Sequence, residues 1–172
     1  MPGSGHLSGL TTHSPAATPS NRNPERSREV QLALASDQQR HWLDHLGEIR
    51  GERLAGRAAA MKFVRDYFVK APHTALFAIY LDRSLRICDV VCLGAGSIEG
   101  VKISLAAIME QGAAVDSACF ILVHNQPRGD PKPSLHHIRI THRIRRVSEE
   151  LDMPLLDHFI FAKDQIASVA NL

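Results

Sequence analysis

Three histidines flank a stretch of turn-forming residues in HNQPRGDPKPSLHH, His124 to His137. His124 stands at its entrance and His136 and His137 at its exit, with three prolines and Gly129 between them. Imidazoles gathered by a rigid turn can hold a transition metal. Two residues at i and i+2 on a strand end point to one side, so such a pair can converge on one ion. The first turn of a following helix can then return to supply a third ligand. A fourth position left to water makes a hydrolase, because the ion lowers the pKa of that water towards about 7. A separate carboxylate must then carry the proton, and a nearby hydroxyl can steady the oxyanion.

Such a loop works only if regular elements hold both of its ends. Before it lies the strand-forming run Ser117–His124; after it Ser134–Leu151 places Ile138, Ile140, Ile144, Val147 and Leu151 on a helical pattern. Leu155–Ala162 reads as a further strand. Upstream, Thr74–Leu81 and Arg86–Leu93 form a hairpin about a turn at Asp82, Arg83 and Ser84. Gly94, Gly96 and Gly100 surround a loop to a helix over Val101–Gln111, which Gly112 closes. Strands alternate with helices from Thr74 onward, so the expected fold class is α/β, a mixed sheet flanked by helices. Before it, Leu54, Ala58, Met61, Phe63, Val64 and Phe68 mark a helix that Pro72 stops, and Ser36–Arg50, with Trp42, Leu43, Leu46 and Ile49, marks a shorter one. Residues 1–33 are rich in Ser, Pro, Thr and Asn and read as a disordered tail, leaving 34–72 as a helical segment and 73–172 as the folded domain.

At 172 residues the chain is one domain long, with 44% hydrophobic and 22% charged residues, as in ordinary globular proteins. A formal charge of +2 does not by itself imply a nucleic-acid or membrane partner. No apolar run reaches membrane-spanning length and no signal-peptide pattern opens the chain, so a cytoplasmic location is expected. Three cysteines argue against a disulfide framework. Cys88 and Cys92 on one strand face would lie about 13 Å apart, too far for a shared ion. They read as core residues.

The loop also resembles a known one. Residues 74–165 are similar to the JAMM (MPN, JAB) domain of the bacterial DNA-repair-protein RadC family, whose loop reads His-x-His-Pro-Ser-Gly-Asp-Pro-x-Pro-Ser-x-x-Asp. This chain supplies His124, Gln126, Pro127, Arg128, Gly129, Asp130, Pro131, Pro133, Ser134 and His137. Tyr80-Leu81-Asp82 and Met153-Pro154-Leu155-Leu156-Asp157-His158 resemble its flanking segments, while its N-terminal helix-hairpin-helix has no counterpart. The resemblance implies a cytidine-deaminase-like fold over 73–172. It implies metal positions at His124, Gln126 and His137, where the family has His, His and Asp, and a catalytic hydroxyl at Ser134. Setting Gly96-Ser97 against the family's Gly-Thr places its catalytic Glu at Val91, with Asp89 the nearest carboxylate. Glutamine is a weak zinc ligand and valine moves no proton. The implied protein is therefore a degenerate JAMM module with a binding or scaffolding role, its zinc weak or absent.

Two other readings stay open. One is a zinc-dependent metallopeptidase or isopeptidase with a variant ligand set. The other is a DNA-associated accessory protein using Arg139, Arg143, Arg145 and Arg146, with His142, on one helix. Charge runs are also solvated faces, and Glu149, Glu150 and Asp152 follow closely. Ser134 reads equally as an N-cap, and His137 at the third helical position would be kept neutral by the helix dipole. His136 is expected to face solvent, Asp130 to anchor turn amides, and His158 to be a satisfied core residue. A protein or peptide partner is expected of the binding role, and no membrane.

Overall fold

A computed structural model of the chain describes residues 47–69, 71, 73–96 and 103–169. The expected tail, the helix over Trp42, Leu43 and Leu46, and the glycine-loop residues 97–100 lie outside the described residues. A short 3-10 turn at Gly47–Ile49 leads to α1 (Arg57–Phe68), then to β1 (Ala75–Leu81) and β2 (Ile87–Ala95). There follow α2 (Leu105–Ala114), β3 (Cys119–Asn125), α3 (Leu135–Glu150), β4 (Leu155–Ala162) and β5 (Gln165–Ser168). The sheet order is β2-β1-β3-β4-β5, with β3 and β4 parallel and every other pair antiparallel. The expected mixed α/β sheet is what forms.

Every residue of β1 and β3 is buried, which requires a covering layer on both faces. Phe77, Ile79, Leu81, Cys119, Ile121 and Val123 point to one side, where Ala60, Phe63, Val64 and Phe68 of α1 meet them. Ala78, Tyr80, Phe120 and Leu122 point to the other, against Ile108 of α2 and Ile144 of α3. The parallel pair β3–β4 is joined across that second face by α3, because parallel neighbours need a crossover. The β3–α3 loop therefore emerges at the carboxyl end of a parallel pair, a common position for ligand sites in α/β folds. Among the described residues no helix is long and apolar enough to cross a membrane.

Three local expectations are corrected, and one strand is added. Leu54 lies before α1 in an extended segment, its N–H donating to Leu85 O at 2.8 Å, because Gly56 at φ 89° resets the chain ahead of the helix. Gly112 does not close α2, which runs to Ala114. Its missing side chain serves close approach instead: an added Cβ would collide with the Met153 thioether and come within 2.8 Å of Ser117 Oγ. Cys88 and Cys92 do not share a face; Cys88 packs with the α2/α3 side and Cys92 with the α1 side. A register shift opposite Tyr80/Leu81 inserts a residue and inverts the alternation. Burial raises all three thiol pKa values, Cys119 to about 11, so the thiols stay protonated, with Cys119 in the core and Cys88 and Cys92 half-buried against it. Finally, β5 was not expected. Its turn holds Lys163 at φ 48° and Asp164 at φ 65°, a conformation usually announced by glycine.

Candidate functional site

The β3–α3 loop is built outward from β3. Past the strand end Gln126 N–H donates to Phe161 O at 2.8 Å, prolonging the pairing with β4. The buried Asn125 amide donates to His73 O at 2.8 Å and Ala71 O at 3.3 Å, tying the loop to the chain before β1. Gly129 is required by contact: its N–H donates to Gln126 O, and a Cβ there would stand 2.6 Å from Gln126 Oε1. That closeness fixes the Gln126 side chain over the strand end. Asp130 Oδ1 accepts from Lys132 N–H at 2.8 Å, as expected of a turn anchor. Ser134 caps α3, its Oγ accepting from His137 N–H at 3.3 Å.

His124, Gln126, Ser134 and His137 come together, as the sequence predicts. His124 is fully buried and His137 is 5% exposed, whereas His136 faces solvent. His137 Nε2 lies 2.8 Å from His124 Nδ1, and Gln126 Nε2 lies 2.9 Å from the same His124 nitrogen. At the other end of its ring, His137 Nδ1 is 3.2 Å from Ser134 N and 2.8 Å from Ser134 Oγ. The backbone N–H can only donate, so His137 Nδ1 carries no proton. A neutral His137 then bears its proton on Nε2 and donates it to His124 Nδ1. His124 in turn donates from Nε2 to Gly96 O at 3.3 Å. One backbone amide thus sets the tautomers of two histidines.

Residues 54–172 match the family model described as RadC-like JAB domain. The chain belongs to that family. Among similar proteins, a UPF0758 protein of Cupriavidus necator is 31% identical over 116 residues, 67% of this chain and 51% of that protein. One of Vibrio cholerae is 26% identical over 119 residues, 69% of this chain and 75% of its own length. One of Aquifex aeolicus is 30% identical over 109 residues, covering 63% of this chain and 47% of that protein. The chain thus spans about half the length of the Cupriavidus and Aquifex relatives it matches.

In this loop the donors are arranged around a proton. Two nitrogens bound to one tetrahedral zinc at about 2.0–2.1 Å stand about 3.3 Å apart, each with its lone pair inward. Here the separation is 2.8 Å and the His137 nitrogen points a hydrogen. Moving that proton to Nδ1 would set it against the Ser134 N–H and break the cap. Gln126 adds a neutral amide, whose nitrogen is no ligand. Among the described residues no three His, Cys, Asp or Glu side chains form a metal-holding group. As arranged, the two histidine nitrogens face each other across a hydrogen bond rather than presenting two lone pairs to a shared ion.

No carboxylate stands ready on β2. Val91 lies on the α2/α3 face, level with Ala78 and Leu122, one pleat short of His124. The β2 residue level with His124 is Gly94, through their common partner Leu76. Asp89, the acid of that strand, pairs with Arg50 at 3.2 Å.

The network extends deeper, from α3 to β4. Thr141, one turn along α3 from His137, donates to His137 O at 2.6 Å. Its hydroxyl hydrogen is thereby used, so at 2.7 Å it accepts from His158 Nδ1–H. Against the expectation of a satisfied core residue, His158 Nε2 is a buried lone pair with no hydrogen-bond partner among the described residues. Burial, then the neighbouring His137 and His124, lower the His158 pKa to about 3, so it stays neutral. The available signal was the spacing His137, Thr141, Ile144, Ser148, one buried stripe of a helix carrying three polar residues.

Proposed function

We propose that this RadC-like JAB domain is a binding or scaffolding module in which a hydrogen bond between two histidines takes the place of a catalytic metal. The observation that carries this reading is the 2.8 Å contact between His137 Nε2 and His124 Nδ1, its proton placed by the Ser134 backbone N–H. Supporting it, Gln126 brings an amide, and β2 places Gly94 level with His124 while its acid, Asp89, pairs with Arg50. Ser134, the hydroxyl of the loop, serves as the N-cap of α3. A module of this kind keeps a hydrogen-bonded loop surface, while among the described residues β2 places no carboxylate level with His124 to act as the base that hydrolysis needs.

Metal content measured by plasma emission tests it. The full chain, incubated with zinc and desalted, is expected to retain well under one zinc per molecule. Gln126→His combined with His137→Asp, which recreates the family's ligand types, is expected to raise zinc uptake towards one. Stoichiometric zinc in the unmodified chain, lost in His124→Ala, would overturn the reading in favour of a zinc peptidase with variant ligands.

A further inference from the structure

The outer side of α3 carries a row of cations that the loop chemistry does not use. The helix turns His137, Thr141, Ile144 and Ser148 inward. At 100° per residue, Arg139, Arg143 and Arg146 fall on the opposite side, and all three are exposed, as is His142 beside them. Their Cα atoms step along the axis by about 6 and 4.5 Å. Among the described residues Arg139 and Arg143 pair with no carboxylate, and Arg146 meets Glu150 only at 4.0 Å. That contact is solvent-screened, with side chains 83% and 69% exposed, and contributes little. Both glutamates of α3 sit in its last turn, so no acid lies between Arg139 and Arg146, and Glu150 flanks only the Arg146 end.

We infer that this face of α3 binds the phosphate backbone of a nucleic acid. Closely spaced guanidinium groups suit phosphate oxygens, which they can engage with two parallel hydrogen bonds. A nucleic acid offers a dense row of charges and needs no apolar anchor, because phosphate contacts alone supply affinity. A protein partner would need a buried apolar or aromatic centre, and a membrane would need apolar residues among the cations. The row offers neither: Leu135, 71% exposed at its end, is a single side chain rather than a patch. The inference rests on the outer face of α3 alone, so it stands or falls separately from the state of the histidine cluster.

Fluorescence anisotropy with labelled 20-nucleotide single-stranded and duplex DNA tests it on the full chain. Binding is expected at 50 mM salt, weakening steadily as salt rises. Arg139→Ala with Arg143→Ala and Arg146→Ala should weaken binding roughly tenfold or more and lower the log–log salt slope by about 2 to 3. Lys62→Ala with Arg65→Ala and Arg83→Ala removes three exposed cations elsewhere and should change affinity less than about twofold, since those side chains make no phosphate contact. Circular dichroism confirms that both variants fold. The inference is overturned by no binding at 50 mM salt, or by equal losses in the two triple variants, which would mean net charge alone. It is also overturned if polyglutamate competes as well as DNA at equal charge, which would reassign the face to an acidic protein.

Discussion

The two sides of α3 are held to different standards. On the inner side His137, Thr141 and Ser148 are buried among aliphatic residues, and their hydrogen-bonding atoms are committed one by one: Ser148 Oγ accepts from Leu155 N–H at 3.1 Å, Thr141 joins His137 to His158. On the outer side Arg139, Arg143 and Arg146 stand in water with, among the described residues, one weak ion pair. A buried polar group left unpaired costs far more than a solvated one. Geometry therefore constrains the inner side tightly, while the outer side is constrained only by charge. Substitutions on the two sides should differ in stability by several-fold, and that difference can be measured.

The largest effect is expected where the inner side is purely apolar. Ile144 is 2% exposed and packs with Tyr80, Phe120 and Leu122 in the cluster between α3 and the sheet. Ile144→Ala should cost about 2–5 kcal/mol in denaturant unfolding, from lost transfer energy and the cavity left behind. A loss below about 1 kcal/mol would mean that α3 packs on the sheet more loosely than its buried residues indicate.

Acid should expose the next largest effect. His158 has a folded pKa near 3 against 6.5 for the free side chain, so the unfolded chain binds the extra proton first. Its contribution is complete above pH 6.5 and is lost as pH falls towards 3. Between pH 6.5 and pH 5 that amounts to about 2 kcal/mol. Wild type and His158→Asn unfolded at both pH values should differ in slope by this amount. Equal slopes would remove His158 as the source of acid sensitivity.

How far the sequence foretold these features depended on the kind of signal each leaves. The strands, α3 and the loop were legible because hydrophobic period and turn residues write them locally, and the loop's family pattern brought His124, Gln126, Ser134 and His137 to one place in advance. The N-cap at Ser134 was also legible, but the reciprocal bond from Ser134 N–H to the His137 ring was not, because a capping box ordinarily has an acid or amide there. What was not legible lies in relations between elements. The inverted face of Cys88 depends on a one-residue register shift against β1, and the role of Gly112 depends on Met153, far along the chain. The meeting of Thr141 and His158 required knowing that α3 lies over β4. β5 was hidden because Lys163 and Asp164 occupy a turn conformation that their types do not advertise.

Removing the inner imidazole should cost less than emptying the core. His137→Ala leaves the Ser134 N–H and His124 Nδ1 without their partner, though Gln126 Nε2 still reaches the latter at 2.9 Å. About 1–3 kcal/mol is expected, part of it recovered by His137→Asp, whose carboxylate can again accept from the cap. The two variants also separate capping from the histidine pair: an Asp that restores stability fully would show that the cap, not the His124 contact, is what His137 contributes.

The smallest effect belongs to the outer row. Arg139→Ala and Arg143→Ala break no pairing among the described residues and bury nothing, so each should leave unfolding within about 0.5 kcal/mol of wild type. Silence in stability is itself informative here. A row that could be deleted without cost to folding, yet whose loss abolished salt-sensitive binding to DNA, would owe its charge to a partner rather than to the fold. If instead Arg139→Ala or Arg143→Ala destabilised the chain by more than about 1 kcal/mol, the row would be part of the packing, and the contrast between the two sides of α3 would collapse.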